Sequence, residues 1–177
     1  DAEAVQLAVP AAASLTSIEL CRDAELLGRL PAPPTDAHDE VRAVRAALSH
    51  AAALMHAGRF ERALEVGTDA LQRAEALAWP PLIAAARLRV ARALARTGQL
   101  AAAESAAEAA FVESAANGSW DVATDAASLL VTVVGHQLAR HVDGLRWSRL
   151  RELAVANLGG DDELRELEYL HGLAAVH

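Results

Sequence analysis

The chain has no lysine and one cysteine, Cys21, among 177 residues. Without lysine there is no Schiff-base nucleophile and no phosphate-binding loop built on a lysine. A single cysteine excludes an internal disulfide and any zinc site made of several thiolates. Aromatics make up 3% of the chain, with 10 Gly and 6 Pro. β-Branched residues are sparse outside one stretch, which argues against sandwiches and barrels of short strands. The longest uncharged runs are Ala4 to Ile18, broken by Pro10, and Ala126 to Ala139. Both fall short of the roughly 18 apolar residues that a membrane span requires, so no membrane insertion is expected. The 16 basic residues, all Arg, face 24 acidic ones, for a net charge of −8. That balance is poorly suited to neutralising a phosphate backbone, so no nucleic-acid partner is expected.

What the chain has is Ala (44) and Leu (26), within 53% hydrophobic residues. These favour helix, and the length suffices for one core. The expectation is therefore an all-α domain. Alanine excess with lysine absence resembles GC-rich bacterial coding. The chain opens on Asp1 rather than Met and stops inside a helical pattern. It therefore reads as part of a longer protein. It would be cytoplasmic, or extracytoplasmic if a membrane span precedes it.

Three segments align with one another: Gly58-Arg59-Phe60-Glu61-Arg62-Ala63, Gly98-Gln99-Leu100-Ala101-Ala102-Ala103 and Ala139-Arg140-His141-Val142-Asp143-Gly144. Their spacings are 40 and 41 residues. In each, a position that tolerates left-handed backbone ends one helix. A larger side chain two residues on (Phe60, Leu100, His141) closes the corner. A small one three further on (Ala63, Ala103, Gly144) lets two helices approach. Residues 1–34 read as short helices, near Leu15 to Arg22 and Ala24 to Leu30, leading into the array. Residues 35–177 read as hairpins over 39–78, 82–116 and 120–157, then a truncated repeat over 162–177. Breaks are marked by Pro31 to Pro34, Trp79-Pro80-Pro81, Asn117-Gly118 and Gly159-Gly160. Leu129-Leu130-Val131-Thr132-Val133-Val134 has strand-like composition but occupies a first-helix slot, and reads as helix.

The hairpins resemble tetratricopeptide (TPR) repeats at a longer period of about 40 residues. The resemblance implies a right-handed superhelix of stacked antiparallel helix hairpins. Leu129 to Gly135, Gln137, Ala139-Arg140-His141, Leu145-Arg146-Trp147 and Leu158-Gly159-Gly160-Asp161 look like the C-terminal TPR region of bacterial, especially myxobacterial, eukaryotic-like serine/threonine protein kinases. In that family the catalytic domain lies N-terminal to the repeats. The resemblance implies an attached kinase domain as one partner, with ATP and Mg entering only through that domain.

The segment carries no kinase motif. Its seven His form no His-Glu-x-x-His and no i, i+4 pair, so no metal, cofactor or catalytic residue is assigned. Asp161-Asp162-Glu163 suits the start of the last helix. Trp79, Trp120 and Trp147 sit near helix ends, where they would fill gaps between hairpins.

By the TPR resemblance, first helices line a concave groove. The groove positions would be Arg45, Met55 and His56, then Arg89, Arg92 and Arg96, then His136 and Gln137, then His171. Arg89, Arg92 and Arg96 lie at i, i+3 and i+7 and share a helix face. They suit an acidic protein or peptide segment, or they pair with carboxylates of neighbouring helices. The functional expectation is a protein-interaction and regulatory module. The alternative is the repeat region of a transcriptional regulator or signalling ATPase that binds a small ligand. The last helix would expose Leu164, Leu167, Leu170 and Leu173 unless the preceding hairpin or a second copy covers them, which raises self-association.

Overall fold

The computed structural model describes Gly28, residues 31–158, residues 163–174 and Val176. The short N-terminal helices, Cys21 and the Gly159–Asp162 break lie outside the described residues, Gly28 apart. Among the described residues the chain is helical without strands. The helices are α1 (His38–His56), α2 (Phe60–Ala76), α3 (Pro80–Arg96), α4 (Leu100–Asn117), α5 (Trp120–Leu130), α6 (His141–Leu158) and α7 (Glu163–Ala174). A π-helical segment, Val131–Gln137, continues α5. No helix among the described residues is long and apolar enough to cross a membrane.

Local chemistry sets the boundaries. Gly58, Gly98 and Gly118 have φ of 70°, 78° and 81°, where glycine meets no Cβ penalty. Asn117 fixes its corner with its side chain: Nδ2 donates to Glu113 O at 2.8 Å, and Oδ1 accepts from Ser119 N at 3.1 Å. Pro80 and Pro81 open α3, where their missing N–H groups go unneeded. The break read at Trp79-Pro80-Pro81 is thus the first turn of a helix.

The two kinds of helix bury different surfaces. First helices carry branched side chains inward, such as Val41, Val44, Leu48 and Leu54 of α1. Second helices bury small ones: Ala63, Gly67, Ala70 and Ala74 in α2, and Ala103, Ala107, Ala110 and Ser114 in α4. Close backbone approach follows, with dispersion rather than bulk holding the hairpins. Consecutive helices from α1 to α6 pack on one another, and α3 also touches both α1 and α5.

The π segment accounts for the change in spacing. Arg59 N and Gln99 N bond the carbonyls five residues back, Leu54 and Leu94, each at 2.9 Å. Arg140 N reaches six back, to Val134 at 3.0 Å, and Leu138 N reaches five back, to Val133 at 2.9 Å. The residue that lengthens the interval from 40 to 41 is therefore absorbed inside the helix as a π insertion. The strand-like stretch is helical, with Val131, Val133 and Val134 fully buried.

Among the tryptophans, Trp79 is buried in the first core cluster, and its Nε1 donates to Pro31 O at 3.0 Å. Trp147 meets Phe111 edge-on at 5.4 Å and packs where α4, α5 and α7 converge.

The last helix corrects the expected stripe. Leu167 and Leu170 are 62% and 48% exposed. Of the stripe, Leu173 packs inward, and the helix docks through it with Tyr169 and Gly172, joined by Val176 from the following turn. Tyr169 Oη and Ser148 Oγ share a hydrogen bond of 2.8 Å, and Gly172 sits directly over the Thr132 hydroxyl.

Candidate functional site, a cationic cleft between first helices

Ion pairs knit neighbouring helices across the molecule. Arg73 of α2 bonds Glu40 of α1 at 2.8 Å, and Arg140 bonds Glu104 of α4 at 2.7 Å. Arg87 of α3 bridges Glu75 of α2 at 3.0 Å and Glu113 of α4 at 3.1 Å. Burial pushes the Glu113 carboxyl above its ordinary range, against the opposing pull of Arg87.

The groove positions read from the sequence divide into those drawn together and those held elsewhere. Arg92 of α3 donates to Asp125 of α5 at 2.7 Å. Arg89 lies in the same electrostatic field but has no ion-pair partner among the described residues, and its buried Nε has no hydrogen-bond partner. Burial, then the neighbouring Arg92 charge, pushes its pKa down to about 10, partly offset by Asp125. Arg89 therefore remains a cation at neutral pH. Arg96 leaves this group and stacks on the Phe60 ring at 4.4 Å. Arg45 stacks over Trp79 at 5.3 Å. Met55 is half-buried at the end of α1 and its carbonyl accepts from Gly58 N, with His56 exposed beside it. His136, Gln137 and His171 are exposed, the first two at the end of the π segment and the third on α7.

Sequence reasoning missed the other half of the cleft. Arg165 of α7 pairs through Nε with Asp125 at 3.1 Å, on the carboxylate oxygen that Arg92 leaves unused. Ser128, Leu129 and Thr132 of the α5 and π run and Tyr169 of α7 complete a cavity of about 160 Å³. Behind it, the almost fully buried Arg151 stacks on Tyr169 at 3.8 Å, pairs with Glu166 at 3.0 Å and donates to Ser128 Oγ at 3.1 Å. The register held a usable signal. Asp125 and Arg165, Arg92 and Thr132, and Leu129 and Tyr169 are each 40 residues apart.

Chemically, the cleft is rich in donors. Its polar lining holds two guanidiniums, Arg92 and Arg165, the hydroxyls of Ser128, Thr132 and Tyr169, and the carboxylate of Asp125. Ser128 is already committed, donating to Thr124 O at 2.9 Å. Such a surface binds anions through charge-assisted hydrogen bonds. Among the described residues, no group of three or more His, Cys, Asp or Glu could hold a metal ion. Comparison with known proteins returns no matching family model, curated protein or solved structure.

Proposed function

We propose that this chain is a protein-interaction module, a TPR-like right-handed superhelix whose first helices bind an acidic protein segment. The observation that carries this reading is the convergence of Arg92 and Arg165 on Asp125, in a cleft between first helices of a net-acidic chain. The recurrence of the left-handed corner at Gly58, Gly98 and Ala139 supports the repeat reading. The kinase association rests on sequence resemblance alone, chiefly in the Leu129 to Trp147 region and at Leu158-Gly159-Gly160-Asp161. On that reading the module is the sensor or scaffold region of a bacterial serine/threonine protein kinase, and sequencing the frame that precedes Asp1 tests it.

Binding is tested with a peptide array of acidic segments and their Asn/Gln isosteres. Acidic peptides should bind the wild type, weaken with added salt, and weaken about tenfold or more on Arg92→Gln, which removes a charge-assisted contact. Equal binding of isosteres would overturn the reading. The small-ligand alternative is favoured by one feature, the small volume of the α3–α5–α7 cavity, about 160 Å³.

A further inference from the structure

We propose that the α3–α5–α7 cleft is a site for a single phosphate group, with Asp125 as its internal stand-in. The inference rests on the groove reading only for the source of that phosphate.

Size comes first. A cavity of about 160 Å³ holds roughly five waters at ~30 Å³ each, enough for one anionic head group. It is too small for a folded element or a run of peptide side chains. Its walls are fixed by three helices rather than a loop, so the geometry is preorganised.

Charge comes second. Arg92 and Arg165 each hold one oxygen of Asp125, at 2.7 and 3.1 Å. Among the described residues Arg92 makes no other hydrogen bond, so most of its five N–H donors remain unspent. Arg89, one turn earlier on α3, adds to the positive field without lining the cavity.

Competition decides the ligand class. Asp125 is tethered within the cleft, so its carboxylate acts at a high effective concentration. A lone monocarboxylate would exchange like for like and lose that advantage, whereas an acidic segment brings several carboxylates along the first helices and gains by multivalency. A phosphate monoester carries about −1.5 to −2 charges and three acceptor oxygens at neutral pH. It engages donors that a second carboxylate leaves unused.

The probes are inorganic phosphate, acetate and a phosphoserine peptide, titrated at pH 7.5 while arginine Nε–H NMR signals are followed. The proteins are the wild type, Arg92→Gln and Asp125→Asn, each checked for native helicity by circular dichroism. Phosphate should shift the Arg92 and Arg165 signals saturably in the wild type, and acetate should not. Asp125→Asn should bind phosphate at least about fivefold tighter, because a repelling charge is gone, and should admit acetate. Arg92→Gln should bind phosphate at least about tenfold more weakly. A phosphoserine peptide that binds tighter than phosphate identifies a protein source. One that binds no tighter fails the groove reading and leaves a free phosphate compound as the ligand. The proposal is overturned by no saturable phosphate shift in either wild type or Asp125→Asn. Shifts undiminished by Arg92→Gln, or acetate equal to phosphate in the wild type, overturn it as well.

Discussion

Gly135 of the π segment and Gly144 of α6 cross in direct backbone contact: a Cβ built on Gly144 would lie 2.4 Å from the Gly135 Cα. Val176, from the turn after α7, fills the space beside them, so a Cβ on Gly135 would meet its side chain at 2.7 Å. The hairpin and the last helix therefore share one tight contact. Gly144→Ala should destabilise the protein by about 3 kcal/mol, the upper range for overpacking against backbone. Denaturant unfolding measures it. Gly67 is the control, since its Cβ would sit 3.5 Å from the nearest Val90 atom, an ordinary contact. Gly67→Ala should stabilise by about 0.5–1 kcal/mol through helix propensity.

Ala139 takes the place of Gly58 and Gly98 at the third corner, with φ of 53°. Left-handed backbone strains an alanine by about 1–2 kcal/mol. Ala139→Gly removes that strain at the expense of some unfolded-state entropy, so a net gain of about 0.5–1 kcal/mol is expected. Ala78, at φ 51°, should respond in the same direction. Thermal unfolding of the two variants checks both.

Arg89 carries a charge that the fold solvates poorly. Arg89→Met keeps the aliphatic stem and removes the unpartnered Nε, and should stabilise the chain by about 1 kcal/mol. The same variant should bind acidic peptide and phosphate more weakly. Stability and binding would then move in opposite directions, as they do where a site is held strained for function. Paired unfolding and binding titrations give the result.

Glu113 gives a pH signature. Burial raises its folded pKa above the ordinary 4.5. Between its unfolded and folded values the native state then binds more protons than the unfolded chain. Stability from this group is full below the unfolded pKa and is lost as pH rises through the folded one. Relative to Glu113→Gln, which does not titrate, the wild type should gain stability as pH falls through that window. Denaturant midpoints of both proteins at several pH values measure the difference.

The helices were legible because their signals are local. Gly58, Gly98 and Asn117-Gly118 stop helices by backbone chemistry, and the Ala-rich runs leave few alternatives. The π insertion was visible only as an extra residue between the second and third corners, since one wide turn leaves no compositional mark. The cleft was half legible. Arg89 and Arg92 lie on one helix, so their shared face follows from 3.6-residue periodicity. Asp125, Arg165 and Tyr169 meet Arg92 only through packing of three helices, which no local pattern encodes. Arg151 was a readable exception, standing where α2 and α4 carry Ala70 and Ala110. Arg96 shares the register of Arg89 and Arg92, but a ring on the preceding helix, Phe60, competes for its guanidinium.

The most direct test of the central claim is amide NMR shift mapping of the isotope-labelled chain during titration with an acidic peptide selected from the array. Binding along the first helices predicts shifts on α3, α5 and α7 around Arg89, Arg92, Asp125 and Arg165, with α2, α4 and α6 little changed on their outer faces. Shifts confined to those outer faces, or unaltered by Arg92→Gln, would contradict it.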